Sequence, residues 1–169
     1  LYHLPEEVLR KIYSNPVAYD GPLSSEHTEY IGKPWQVFWQ ENLYMGVDSL
    51  GICKYHTVFL GVTLPTFEEW SKVLYLNTGI EMTPEEIWQV ARRCNMIERL
   101  FNLREGLKRN DLEKGDMLNH RYFDEPCRRG ALDVIGTSID KKKFVKMVDE
   151  LYGHQGLDKN GVPKPETLE

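Results

Sequence analysis

The chain has 169 residues, 41% of them hydrophobic and 28% charged, an ordinary balance for a globular protein with a core of its own. Its 21 Lys and Arg are outnumbered by 26 Asp and Glu, giving a formal charge of −5, which argues against nucleic acid as the main partner because phosphate backbones are held by concentrated Lys and Arg. No apolar run approaches the ~20 residues of a membrane-spanning helix, and no signal peptide is visible.

In chain order the pattern is almost wholly helical. Pro5 to Ser14 reads as a short helix with Val8, Leu9 and Ile12 on its apolar side. Asn15 to Gly32, rich in Gly, Pro and Ser, reads as an irregular loop. Pro34 suits a first helical position. Trp35, Phe38, Trp39, Leu43 and Tyr44 follow at helical spacing, in a helix expected to end near Val47. Two capping boxes mark the next starts, Thr66 with Glu69 and Thr83 with Glu86. The first begins a helix from Phe67 to Asn77, stopped at Thr78-Gly79 by a left-handed cap. The second begins the longest helix, Pro84 to about Arg104. Its expected inward stripe is Ile87, Val90, Ala91, Cys94, Ile97 and Phe101, with Leu100 beside it, and Gly106 ends it. Asn110 to Gly136 has little periodicity and reads as a long surface connection. A last helix is expected from Asp140 to Tyr152, with Phe144, Met147, Val148 and Leu151 inward and Gly153 as its cap. The tail from His154 to Glu169 is expected to be extended. The fold class is therefore all-α, an irregular helical arrangement.

Three cysteines, Cys53, Cys94 and Cys127, are odd in number and far apart. They suggest no disulfide framework and fit a reducing cytoplasm. Cys94 falls on an apolar helix face, where core packing is the ordinary role. Cys53 and His56 could be half of a zinc site, but no second pair stands at tight spacing. Asp158-Lys159-Asn160-Gly161 resembles the opening of a calcium loop, lacks the later acidic ligand, and reads as a turn. Glu98, Arg99, Arg104 and Glu105 stand at spacings that suit ion pairs within their helix. Lys141-Lys142-Lys143 and Arg128-Arg129 read as solvated charge.

The hexapeptide Asp48-Ser49-Leu50-Gly51-Ile52-Cys53, followed by Lys54, carries more chemistry than any of these. A carboxylate and a thiol flank a glycine that permits a positive-φ turn. Such a turn exposes backbone donors and acceptors, as the edge of a bicyclic pterin requires. A helix end with an ordinary core cysteine is the bland alternative. The helix segment Glu98-Arg99-Leu100-Phe101-Asn102-Leu103-Arg104-Glu105-Gly106 makes the reading specific. With the hexapeptide it resembles the C-terminal domain of the tungsten-containing aldehyde ferredoxin oxidoreductases, whose motifs have the forms D-x-x-G-L/V-C-K and E-R-x-W-N-L-E-R-L-F-N-L-R-E-G. The Trp of the second motif and its neighbours are replaced here by Cys94-Asn95-Met96. Arg121, Glu125, Pro126 and Gly130 match a further stretch. Leu151-Tyr152, Gly156, Asp158, Gly161, Val162 and Pro163 resemble the family's closing motif, with Leu157 in place of a Trp. The resemblance covers the chain from about Lys33 to its end.

The resemblance implies a tungstopterin cofactor, with tungsten or molybdenum held by two molybdopterins, and a neighbouring [4Fe-4S] cluster. Asp48, Gly51 and Ile52 would contact pterin, and Cys53 would be both a pterin neighbour and the fourth cluster ligand. The cluster's other three cysteines and the second pterin motif are absent from these residues. The chain, which opens at Leu1 and not Met, is thus expected to be a fragment, residues 1–169 forming one C-terminal helical domain that needs the remainder of its own chain. His3 is the candidate for the family's substrate-pocket histidine, on its distance upstream of Cys53, and its ordinary pKa suits proton transfer. The implied reaction oxidises an aldehyde to a carboxylic acid, with a ferredoxin or an iron–sulfur subunit taking the electrons, in the cytoplasm, and a homodimer is one assembly the resemblance allows. The tungsten subunit of the class II benzoyl-CoA reductases, which acts on an aromatic acyl-CoA, is the alternative; the loop Ala18 to Gly32 and the aromatic helix Trp35 to Tyr44 resemble that branch. A helical interaction module without catalysis is the other alternative.

Overall fold

The computed structural model describes residues 4–57, 65–111, 115–130 and 132–168. Among them there are helices and turns, with no strand beyond one isolated antiparallel bridge between Leu157 and Pro163. The all-α expectation holds. The helices are α1 (Glu6–Tyr13), α2 (Lys33–Leu50), α3 (Phe67–Thr78), α4 (Pro84–Arg104), α5 (Arg121–Asp124), α6 (Lys141–Gln155) and α7 (Pro165–Leu168), with a single 3₁₀ turn at Lys54–His56.

Helix α2 is the axis of the molecule. It packs against both α4 and α6, while α3 lies on α4. Its aromatic face is buried as the spacing requires: Trp39, Leu43 and Val47 are inaccessible, Trp35 and Phe38 nearly so. Each such side chain gains about 1.5–3 kcal/mol from leaving water. The indoles also satisfy the polar groups of the neighbouring loop. Trp35 Nε1 donates to the Tyr13 carbonyl at 2.7 Å and Trp39 Nε1 to that of Asn15 at 2.6 Å. Phe67, Trp70, Ile87 and Trp88 from α3 and α4 complete this core. Gly46 allows the close approach: a Cβ there would stand 3.3 Å from the Phe67 ring. One polar pair is enclosed, Asn95 Nδ2 donating to Oδ1 of the buried Asn42 at 3.1 Å, which fixes α4 on α2.

A second, smaller cluster joins Val148 and Tyr152 of α6 to Leu157, with Met96 of α4 and Phe144 against it. A network of charges surrounds it. Arg99 donates bidentately to Asp116 at 2.9 and 2.7 Å and to the Gly161 carbonyl at 2.9 Å. The Tyr152 hydroxyl also donates to Asp116. The guanidinium groups of Arg99 and Arg109 lie 5.4 and 5.1 Å from the Tyr152 ring centroid.

Both capping boxes form, at Thr66 with Glu69 and at Thr83 with Glu86. Gly79 ends α3 in the left-handed region at φ 73°. Other expectations need correction. Helix α2 runs to Leu50, three residues past Val47, because the left-handed residue that stops it is Gly51. Helix α6 likewise passes through Gly153 and stops at Gly156, φ 74°. The tail is folded back by the Leu157–Pro163 bridge and ends in α7, and the 110–136 connection contains α5. The reading of 158–161 as a turn holds: Asp158 Oδ1 accepts from the backbone N–H groups of Asn160 and Val162. On α4, burial falls on Ile87, Trp88 and Ala91, while Ile97, Leu100 and Phe101 are exposed. Helical spacing shows which residues share a face, not whether a partner element covers it. Arg99 pairs across the fold and not along its helix; only Arg104 and Glu105, adjacent in sequence, pair at the end of α4.

Candidate functional site

The hexapeptide forms the C-terminus of α2. Gly51 takes φ 69°, ψ 24°. Its N–H donates to the Asp48 carbonyl at 3.2 Å, and the Ile52 N–H to the Val47 carbonyl at 2.9 Å. These are the paired bonds of a Schellman motif, whose left-handed position favours glycine. Ile52 packs against the core that holds Val47, the apolar contact that commonly accompanies the motif. The chain then turns outward. Cys53 is extended, at φ −69° and ψ 130°, and exposed. Its carbonyl accepts the His56 N–H at 2.9 Å, starting the 3₁₀ turn that Thr57 closes by donating Oγ1 to the Lys54 carbonyl at 2.7 Å.

Asp48 therefore projects from the last helical turn, on the same helix end as the Cys53 thiol. Lys54 Nζ lies 2.8 Å from Asp48 Oδ2, with both side chains about half exposed (51% each), and 5.6 Å from the Tyr44 ring centroid. The carboxylate raises the Lys54 pKa above its ordinary value. This ion pair has no signal in the sequence, because the two residues are brought together by the Schellman turn and not by helical spacing. The carbonyls of Ser49 and Leu50 receive no backbone hydrogen bond among the described residues, as expected for the last positions of a helix.

Beside Asp48 and Lys54 lies a cavity of about 440 Å³ between α2 and α4, its walls including Tyr44, Asn95, Glu98 and Asn102. Glu41 forms part of its lining; burial raises the Glu41 carboxyl above the usual range, opposed by a hydrogen bond from Gln155 Nε2 at 2.6 Å. Arg99 lies at the far side. Burial acts to raise Asp116, but the hydrogen bonds from Arg99 and Tyr152 outweigh it and hold that carboxyl below its usual range. Cys94 is half-buried, with Ser49 Oγ 3.9 Å from its sulfur.

The structure thus brings Asp48, Gly51, Ile52 and Cys53 to one helix end. His3 lies outside the described residues. Among the described residues no three His, Cys, Asp or Glu side chains cluster to hold a metal. The zinc half-site of Cys53 and His56 therefore gains no third such ligand among the described residues, and all three cysteines are free. What the helix end offers is one exposed soft ligand, one exposed carboxylate, unpaired carbonyls and an adjacent polar cavity. That donor set fits the edge of a heterocycle and one corner of an iron–sulfur cluster, with the remaining ligands coming from elsewhere.

Fold and helix end together define an all-α domain that presents one exposed cysteine and one exposed carboxylate at the same helix end, with no metal site completed among the described residues. Residues 6–169 match the family model described as aldehyde ferredoxin oxidoreductase, domains 2 and 3, and the chain belongs to that family. It is 29% identical over 123 residues to the tungsten-containing aldehyde ferredoxin oxidoreductase of Pyrococcus furiosus, a match that covers 73% of this chain and 18% of that protein. The enzyme of the same name from Thermococcus kodakarensis is 30% identical over 84 residues, 50% of this chain and 13% of the relative. The chain thus spans under a fifth of the length of the curated relatives it matches. Among solved structures, the active-site complex BamBC of benzoyl coenzyme A reductase, in complex with 1,5-dienoyl-CoA, shares the fold at a TM-score of 0.53 and 23% identity, covering 78% of this chain and 18% of that one.

Proposed function

We propose that this chain is the C-terminal helical domain, residues 1–169, of a tungstopterin and [4Fe-4S] oxidoreductase that oxidises aldehydes to carboxylic acids, with ferredoxin or an iron–sulfur subunit as electron acceptor. The observation that carries it is the α2 terminus, where an exposed thiol and an exposed carboxylate flank a Schellman turn. A core cysteine would be buried and a purely structural helix end would not need both groups.

In this reading Asp48 accepts hydrogen bonds from pterin N–H groups, Gly51 lets the backbone approach, and Ile52 contributes main-chain contacts. Cys53, as thiolate, ligates the cluster, and hydrogen bonds and burial around its sulfur tune the cluster potential. Tungsten or molybdenum held by the pterin dithiolenes would supply two-electron chemistry at the aldehyde carbon, while the protein positions, tunes and excludes side reactions. His3 is proposed to hold and move a proton at the substrate. The remainder of the chain is proposed to supply the other three cluster cysteines and the second pterin motif. The three free cysteines suit a reducing compartment, which supports a cytoplasmic protein; no helix among the described residues is long and apolar enough to cross a membrane.

The second reading is reduction of an aromatic acyl-CoA ring, as in a benzoyl-CoA reductase tungsten subunit. The fold shared with the BamBC complex supports it. Assay with an aldehyde and with a dienoyl-CoA separates the two.

Replacing Cys53 by Ser tests the shared part of both. The full chain, purified without oxygen, should carry iron near four per subunit and tungsten near one, the content a single [4Fe-4S] cluster and one bis-pterin centre require. Cys53→Ser should lose most of the iron while keeping its helical circular dichroism. Unchanged iron in a folded variant would sink the proposal and leave the helical interaction module.

A further inference from the structure

A larger groove lies at the other end of α2. It has a volume of about 1230 Å³ and runs between residues 27–33 and residues 119–129 and 134–147. Its two walls are tied together. The Asp140 N–H donates to the Tyr30 hydroxyl at 2.8 Å, and His27 Nδ1 meets Asp133 Oδ2 at 2.7 Å. By helix rise, the 18 residues of α2 separate this groove from the Gly51 turn by about 27 Å.

The groove is cationic in a chain whose net charge is −5. Lys33, Arg121, Arg128, Arg129 and Lys143 line it, against Glu29, Glu125 and Asp140. Two of those carboxylates are already engaged. Glu125 pairs with Arg121 at 3.2 Å, and Asp140 caps α6 by accepting from the N–H groups of Lys142 and Lys143. The side chains of Arg128 and Arg129 are exposed and have no carboxylate partner among the described residues. Unbalanced cations in a concavity concentrate anions, and a guanidinium presents the fork that matches phosphate. The rest of the lining is mixed: Tyr30, Tyr122, Val134, Phe144 and Met147 stand beside the polar Thr28, Asn119, Thr137 and Ser138.

We propose that this groove is a ligand site for a phosphate-bearing molecule with an aromatic portion, by class a nucleotide. The phosphates sit against Arg128 and Arg129, and the aromatic part lies along Tyr30, Tyr122 and Phe144. The volume of about 1230 Å³ is ample beside the ~300–1,000 Å³ of most organic-ligand clefts. An acidic protein surface would also meet the positive charge, but a concavity of this volume with Tyr30, Tyr122 and Phe144 in its wall favours a ligand that enters.

The test is calorimetric titration of the full chain with ADP and with inorganic pyrophosphate, repeated with Arg128→Glu/Arg129→Glu. Both positions are exposed, so the double variant should fold, which circular dichroism checks. ADP should bind, more weakly as salt rises and at least tenfold more tightly than pyrophosphate, and the double variant should weaken it at least tenfold. Equal binding of pyrophosphate would overturn the aromatic half of the proposal. No binding of ADP, or binding untouched by the double variant, would overturn all of it; so would an acidic protein that binds only the unsubstituted chain while ADP does not. Iron and tungsten measured on the same preparations are expected to be unchanged, so failure here is separate from failure of the redox reading.

Discussion

Helices α2 and α6 end in the same way and are then treated in opposite ways by the chain. Each closes with a glycine in the left-handed region and the two crossed hydrogen bonds of a Schellman motif, Gly51 with Ile52 in one and Gly156 with Leu157 in the other. After Gly156 the chain folds back on itself. Leu157 is buried, Thr167 Oγ1 donates to the Gly156 carbonyl at 2.7 Å, and Arg99 reaches over from α4 to hold the Gly161 carbonyl. After Gly51 the chain leads outward, and Asp48, Cys53 and Lys54 stay exposed. Identical local geometry therefore serves stability at one end and presentation at the other; what differs is only what the following residues do.

The largest test of that contrast is alanine at the two glycines. Gly156→Ala should cost about 2–5 kcal/mol, because positive φ strains a side chain by about 1–2 kcal/mol and overpacking adds about 1–3; the new Cβ would stand 2.3 Å from Thr167 Oγ1. Gly51→Ala should cost only the φ strain, about 1–2 kcal/mol, since no atom lies within 4 Å of its Cβ position. Urea midpoints of the two variants measure this, and equal shifts would erase the contrast. Arg99→Ala comes next. It leaves Asp116 with the Tyr152 hydroxyl and removes a charge-assisted bidentate pair that is only partly solvated, with side chains 15% and 26% exposed. About 2–3 kcal/mol should be lost, with faster amide exchange in residues 157–163 and little change in 48–54.

The α6 end should also be the more sensitive to pH. Burial lowers the pKa of His154, opposed by Glu150, in a setting where its ring lies 5.2 Å from that of Trp35 and 5.9 Å from that of Phe38. The unfolded chain then takes up the proton first. The contribution of this group is fully present above the unfolded pKa of about 6.5 and is lost as pH falls through the folded value. Tyr152 works in the other direction: burial, then its bond to Asp116, pushes the phenol up to about 12. Its contribution is intact below about pH 10, the unfolded value, and fades as pH rises from there toward 12. Thermal melts across pH 5–11 should show both slopes, and His154→Phe should flatten the acidic one.

How much of this was legible follows the same division. Helix starts were readable because Thr66-Glu69 and Thr83-Glu86 carry their caps in the sequence. Two ends were readable as well, Gly79 after α3 and Arg104 in α4; that of α6 was not, because Gly153 and Gly156 offer the same chemistry and only the approach of Thr167 to Gly156 distinguishes them. The gathering of Asp48, Gly51, Ile52 and Cys53 was legible because the residues are contiguous. The Arg99–Asp116 pair and the groove at Arg128 were not, since each joins segments far apart in sequence. The stripe of α4 misled for a related reason: Ile97 and Phe101 share a face, yet no described element covers it.

The smallest effect concerns Lys54, and it separates presentation from stability most sharply. Its ion pair with Asp48 is half exposed, and solvent screening leaves such pairs little effect on stability. Lys54→Ala should thus move the urea midpoint hardly at all. In the proposed reading, however, Lys54 competes with a pterin for the Asp48 carboxylate and also fixes its rotamer. If the pairing preorganises Asp48, the alanine variant should hold less tungsten than the unsubstituted protein at equal stability. If it merely shields the carboxylate until cofactor arrives, tungsten content should be equal or higher. Asp48→Asn gives the reference for both, since it keeps the shape, removes the charge and should lower tungsten content whichever role Lys54 plays. An Asp48→Asn protein that loads tungsten fully would place the α2 terminus on the same footing as the α6 terminus, as a helix end and nothing more.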